Sequence, residues 1–295
     1  MQSRDNFTRV YATEMDVNDH SFILDGDTWH LFHIWLDPAG DNLIGHATSP
    51  DLLRWERQPD VLPKDPPPSW EAAKGGSAPY VFAWEGRYYL FYSRYLLISD
   101  TDPYPDQQQI GLAVSDDLFI WQKHPGNPVF HPAPAFSPWE DERANQFRPK
   151  ACRDPHVMRV GDRFVLYYVA MMRRLGVAQV GHALSDDLLR WEDRGPVATS
   201  PVVSEGQRMN ESPCVVQHNG RWHLFFMHGL GMRWGISDTP FDFPATALGY
   251  HAHASEVFNW GDEWFMSHCG AGYGGLGLAR LDMGVRPPRL LPLQT

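Results

Sequence analysis

A chain of 295 residues with 43% hydrophobic residues, 12 Trp, 11 Tyr and 16 Phe carries enough apolar material for a sizeable core, which excludes a disordered chain. Its formal charge of −11 argues against nucleic acid or an anionic membrane as a partner, because clustered Lys and Arg hold both, so neutral ligands fit better. Three cysteines, Cys152, Cys214 and Cys269, are too few and too widely spaced for a disulfide framework or a CxxC site, and read as buried thiols.

The first residues, Met1 to Asn6, run into polar sequence without an apolar signal core, and no stretch approaches the ~20 apolar residues that span a bilayer. The expectation is a cytoplasmic protein, with one domain over residues 1–295. Five hairpins then follow in chain order, each a tight Gly turn before an aromatic-rich alternating run. Asp25-Gly26-Asp27 precedes Trp29-His30-Leu31-Phe32, and Glu85-Gly86-Arg87 precedes Tyr88 to Tyr92. Gly161-Asp162 precedes Phe164 to Tyr168, Asn219-Gly220 precedes Trp222 to Phe226, and Gly261-Asp262 precedes Trp264-Phe265-Met266. Such dipeptides between β-like runs are strong hairpin signals, because the favoured turns need positive φ.

A second element trails the hairpins: Ser49-Pro50-Asp51-Leu52, Ser115-Asp116-Asp117-Leu118, Ser185-Asp186-Asp187-Leu188 and the degenerate Ser237-Asp238-Thr239. Its recurrence at one place in each repeat marks an outer turn, where Ser and Asp bond their own backbone, rather than a cluster of acids with chemistry of its own. Together the elements describe a four-stranded antiparallel meander repeated five times. The fold predicted is all-β, a five-bladed β-propeller, with no C-terminal β-sandwich after it. A β-sandwich would also show short strands but gives no reason for so regular a repeat. The Pro-rich passages Pro59 to Ser69 and Pro125 to Glu142 read as inter-blade loops, which makes Trp70, Trp139 and Phe136 candidates for lining a cleft.

The first strand of each blade lines the propeller axis, so residues just upstream of each hairpin turn gather around one opening. Asp19 and Asp154 each stand seven residues before their turn glycine, and Glu211 stands nine before Gly220. Like charges in one concave site resist simultaneous ionisation, which yields a proton donor beside a base, the requirement for cleaving a glycosidic bond. Arg153, beside Asp154, is suited to hold that carboxylate ionised and to donate to sugar hydroxyls, or else forms a buried structural pair. Glu211, flanked by Ser212, Pro213 and Cys214, is expected to have its proton affinity raised by desolvation. His156, His182 and Arg148 are candidates for further substrate contacts.

With these residues in place, the chain resembles the five-bladed propeller glycoside hydrolases of families 32, 43, 62 and 68, and families 32 and 43 most. Asn18-Asp19 is similar to the Asn-Asp-Pro motif of family 32, whose Asp is the nucleophile, and to the Asp-Pro of family 43, whose Asp is the general base. Arg153-Asp154-Pro155 resembles the Arg-Asp-Pro of the fructan-acting families, where the Asp binds sugar hydroxyls and stabilises the transition state. Glu211-Ser212-Pro213 matches the general-acid Glu of both, and Gly76-Ser77-Ala78 resembles the sugar-site Ser of family 32. The sequence departs from family 32 at His20-Ser21, which replaces Pro-Asn. His253 resembles the blade-five His of family 43 that in many members sits near a metal in the central channel; the metal implied is Ca²⁺, and the alternative is a histidine satisfied by hydrogen bonds. The resemblance implies a glycosidase acting on a small oligosaccharide, with no cofactor required. A fructofuranoside is favoured over the arabinofuranoside or xyloside of an inverting family-43 enzyme, and a non-catalytic sugar-binding propeller is the alternative of another kind.

Overall fold

The structure is a computed structural model that describes residues 6–14, 16–36, 43–66, 69–71, 78–97, 106–137, 151–172, 178–199, 210–229, 231–248, 250–270 and 272–293. The described residues form five β-sheets arranged as the blades of a propeller, with no α-helix among them and hence none able to cross a membrane. The chain enters on β1 (Thr8–Tyr11) and lays down blade one as β2 (Asp16–Asp25), β3 (Thr28–Leu36), β4 (Ile44–Ser49) and β5 (Glu56–Val61). Blade two is β6 (Pro79–Trp84), β7 (Arg87–Leu97), β8 (Asp106–Ser115) and β9 (Gln122–Lys123); blade three is β10 (Cys152–Val160), β11 (Arg163–Met171), β12 (Ala178–Ser185) and β13 (Glu192–Pro196). A short strand, β14 (Ala198–Thr199), leads into blade four: β15 (Asn210–His218), β16 (Arg221–His228), β17 (Gly231–Ser237) and β18 (Phe243–Ala247). Blade five is β19 (Val257–Trp260), β20 (Glu263–Cys269) and β21 (Leu276–Asp282), with β22 (Arg289–Leu291) beyond it.

Blades one to three are four-stranded meanders, while the last two sheets each hold five strands. In blade four the extra strand is β14, parallel to β18; in blade five β1 and β22 both pair with β21. The first hairpin turns use positive φ, in two ways: Gly26, Gly161 and Gly261 hold it at the first turn position, whereas Glu85-Gly86 and Asn219-Gly220 hold it at both. The outer turns are built as expected, since Asp51, Asp117 and Asp187 each accept from two following backbone N–H groups, and a Trp indole caps the preceding Leu carbonyl. That scaffold holds Leu52, Leu118 and Leu188 at positive φ while burying their side chains. Pro59 falls inside β5 rather than in a loop, on an edge strand where its missing N–H loses no ladder bond.

The core is divided into five apolar clusters, one at each seam between blades. Phe32 meets Leu90 between blades one and two, Phe91 meets Leu166 at the next seam, and Tyr167 meets Phe226 between three and four. Phe225 packs with Met266, and Leu31 with Cys269, at the remaining two. Each fully buried side chain of this kind contributes roughly 1.5–3 kcal/mol. The three cysteines are free and buried within these seams.

A polar ring runs inside the apolar one. Val81 N–H donates to Ser21 Oγ at 3.1 Å, His156 Nε2 lies 2.9 Å from Val215 O, Val257 N–H donates to Cys214 Sγ at 3.2 Å, and Phe22 N–H donates to Glu256 Oε2 at 2.7 Å. Each side chain occupies the same place in its blade, and each reaches the residue one position further on in the next blade. At the second seam Tyr80 takes that place and packs its ring 4.5 Å from His156.

Candidate active site

The first strands of blades one, three and four are each broken by a β-bulge at the carboxylates. Ladder pairing jumps from Asn18↔Ile34 to His20↔His33, from Arg153↔Val169 to His156↔Tyr167, and from Glu211↔Met227 to Cys214↔Phe225. A bulge leaves extra residues unpaired and re-aims their side chains, here toward the axis. Pro155 and Pro213 mark it in the sequence, because Pro inside a strand pattern belongs at a bulge. Asp154 and Ser212 share the left-handed bulge position, at φ 55° and 50°, and Ala254, at the matching place ahead of β19, has φ 45°.

This register refines the counting made from the turn glycines. Gly220 is the second residue of its turn and Gly161 the first, which accounts for one of the two residues of offset. The other is real: Glu211 aligns with Arg153, one position ahead of Asp154, and joins the aspartates through its ion pair with Arg153. Asp19 and Asp154 nevertheless line one pocket, together with Tyr80, Ser212, Ser255 and Glu256.

Arg153 joins the carboxylates. Its Nη2 lies 2.6 Å from Glu211 Oε1 and its Nε 3.7 Å from Asp154 Oδ2. Asp154 also accepts from Ser212 N–H at 2.9 Å, and Asn18 Nδ2 donates to Asp19 Oδ2 at 3.3 Å. Burial pushes the Asp19 carboxyl well above the ordinary carboxylate range, and the charges of Asp154 and Glu211 push it further; Arg153 and a hydrogen bond from the Ser212 side chain pull it back. Asp154 is raised by burial as well, with Arg153 opposing and Glu211 reinforcing. Burial thus raises the proton affinity of both aspartates. Glu211, with its side chain 29% exposed, is more open than Asp154 at 7% and is ion-paired to Arg153.

The remaining candidates divide. His156 lines the same pocket, but its Nε2 is engaged with Val215 of blade four, and burial lowers its pKa to about 4, so it is a neutral inter-blade tie. Trp70 is a packing residue rather than part of the mouth: its ring lies 5.9 Å from Tyr92 and fills the space a side chain at Gly111 would need. Phe136 likewise covers Gly195, and His182 hydrogen-bonds the Gly195 carbonyl and packs on Phe241 of blade four. Ser77, Trp139 and Arg148 lie outside the described residues. His253 stands near Glu211, whose charge opposes the lowering of its pKa by burial, and its Nδ1 has no hydrogen-bond partner. Among the described residues no group of three His, Cys, Asp or Glu side chains converges to hold a metal, and Ca²⁺ takes six to eight oxygen ligands, which the imidazole of His253 does not supply.

Sequence reasoning missed two supports of the site. Asn210, immediately before Glu211, is fully buried between Gln179 Oε1 at 2.5 Å and His228 Nδ1 at 2.7 Å, which pins the start of β15 against blade three. Ser212 donates its backbone N–H to Asp154 and lines the same pocket as Asp19. Only the shared Pro of the bulge pointed to it.

This architecture is that of the propeller glycoside hydrolases. A family-32 β-fructofuranosidase of Bombyx mori superposes with a TM-score of 0.71 at 18% identity, over 99% of this chain and 66% of that one. A thermostable family-43 glycoside hydrolase gives 0.71 at 17% identity, over 96% of both chains. An α-L-arabinanase of Cellvibrio cellulosa, solved with arabinohexaose, gives 0.65 at 16% identity, over 95% of this chain and 96% of that one. No curated protein sequence matches the chain. Residues 15–213 match the model of the glycosyl hydrolases family 32 N-terminal domain, and the chain belongs to that family.

Proposed function

We propose that this protein is a glycoside hydrolase that cleaves a fructofuranoside from a small oligosaccharide. The observation that carries the reading is the meeting of Asp19, Asp154 and Glu211 around Arg153 at one end of the propeller axis, in a chain that belongs to family 32. The acids of the mouth share a proton, and in the reacting form it sits on Glu211: the ionised Asp19 carboxylate attacks the anomeric carbon while Glu211 gives that proton to the departing glycosidic oxygen, so that the sugar is transferred to Asp19 and the aglycone leaves neutral. Water then attacks the same carbon, returning its proton to Glu211 and freeing Asp19. Asp154, held by Arg153 and Ser212, supports the positive charge that develops on the ring.

A second reading is supported by His20-Ser21, which stands where family 32 carries Pro-Asn after its nucleophile; the chain spans 66% of the length of the Bombyx mori enzyme. On it, Asp19 acts as a general base on water and the substrate is an arabinofuranoside or xyloside. The test is hydrolysis of sucrose, short fructans and a panel of p-nitrophenyl furanosides and pyranosides by the wild type and by Glu211→Gln. Release of fructose, lost in the variant, supports the first reading; release of arabinose or xylose supports the second. Equal background from both proteins overturns both in favour of a binding module.

A further inference from the structure

We propose that Asp16 is a positioning residue for Asp19: its carboxylate clasps the glycine-rich loop between β20 and β21, and that loop fixes the edge of β2 from which Asp19 projects. The proposal rests on the reading of this mouth as a glycosidase centre. Asp16 Oδ2 accepts from Gly272 N–H at 3.0 Å, and Asp16 Oδ1 accepts from Gly274 N–H at 3.1 Å. Gly270, Gly272 and Gly274 hold φ at 64°, 74° and 73°, a region glycine enters at little cost, and backbone turned in this way can present several N–H groups to one anion. The anion here is a side chain of the first blade.

The edge of β2 needs such a partner. β2 ends the order of its sheet and bonds only β3, so the ladder holds a carboxylate at its bulge from one side alone. The glycine loop supplies the other side. Gly270 N–H donates to the Val17 carbonyl at 2.7 Å, and the bare face of Gly270 receives Asn18 Oδ1 and His253 Nδ1, which a side chain there would displace. Asn18 in turn donates from Nδ2 to Asp19 Oδ2 at 3.3 Å. The loop thus meets Asp16, Val17 and Asn18, the three residues that lead into Asp19. Its far side is anchored as well, since Arg9 Nη2 donates to the Tyr273 carbonyl at 2.8 Å and Tyr273 Oη to the Phe7 carbonyl at 3.3 Å.

Asp16→Ala removes both acceptors, whereas Asp16→Asn keeps one oxygen for one of the two N–H groups. Hydrogen exchange followed by mass spectrometry needs no substrate. Faster exchange over residues 16–20 in Asp16→Ala, with blades two to four as in the wild type, supports the clasp. Unchanged exchange there overturns it, and so does acceleration throughout the protein, which marks general destabilisation. Kinetics on the substrate found with the sugar panel then test the positioning. In Asp16→Ala kcat is expected to fall by about 10- to 100-fold with KM within about twofold, the scale of a displaced reacting group, and Asp16→Asn should recover part of it. An unchanged kcat, or a rise in KM alone, overturns the proposal. A wild type that cleaves none of the sugars overturns the glycosidase reading instead, and the exchange comparison still decides the clasp.

Discussion

Arg153 reaches from blade three to blade four and places its Nη2 2.6 Å from Glu211 Oε1. The same guanidinium, with its side chain only 11% exposed, has its Nε 3.7 Å from Asp154. Its planar fork addresses two acids at once, which a lysine ammonium on a flexible stem does not reproduce. Arg153→Met is expected to lower kcat/KM by about 100-fold or more, the scale of losing one preorganised donor. Arg153→Lys should recover only part of it. Steady-state kinetics on the substrate named by the sugar panel checks both, and full activity in Arg153→Met would show that the ion pair is structural only.

Glu256 predicts how stability changes with pH. Its carboxyl accepts from Phe22 N–H, and burial raises its pKa to about 8; Tyr80 and Cys214 are the titratable groups that face it, and Ser267 Oγ accepts from its backbone N–H. A folded pKa above the unfolded one makes the contribution full below about pH 4.5, and it is lost as pH rises through about 8. The total is on the order of 5 kcal/mol. Glu256→Gln stays neutral throughout, so chemical denaturation should show a flatter dependence between pH 5 and roughly 8.5 than in the wild type. Parallel slopes would sink the assignment.

A third prediction concerns blade two. Glu71 is fully buried, accepts from Tyr92 Oη at 2.6 Å and pairs with Lys123 Nζ at 2.6 Å, while Lys123 also donates to the Pro63 carbonyl at 2.7 Å. Lys123→Met strands a buried carboxylate and should cost about 3–5 kcal/mol. Lys123→Met with Glu71→Gln removes the stranded charge and should restore much of that loss. A double-mutant cycle by urea denaturation measures the coupling, and additive losses would count against it.

What the sequence made legible was local or periodic. The hairpin glycines, the Ser-x-Asp-Leu turns and the carboxylates near each strand start all follow from chemistry within a few residues, and the repeat carries that chemistry into space. Trp70 and Phe136 were misplaced because an isolated aromatic does not announce its partner, and theirs are the bare faces of Gly111 and Gly195. The environment of Glu211 was missed for a related reason: Arg153 lies 58 residues away in sequence and 2.6 Å away in space. Glu256 was visible in hindsight, since it precedes Gly261 by the same five residues that separate Ser21 from Gly26 and His156 from Gly161.

Blade five draws on both ends of the chain, for Thr8 of β1 pairs with Leu278 and Arg289 of β22 pairs with Asp282 on the same strand. Its tie to blade one, from Glu256 to Phe22, also spans most of the sequence. During synthesis the first four meanders can pair from local contacts as they emerge, but the circle has no lock until residue 278 has left the ribosome. The slowest contacts to form are therefore the ones that shut it, because closing a loop of that length comes late and at an entropic cost. Until then β2 presents an uncovered flank beside the very mouth that Asp19 serves, so the site and the ring are completed in one event.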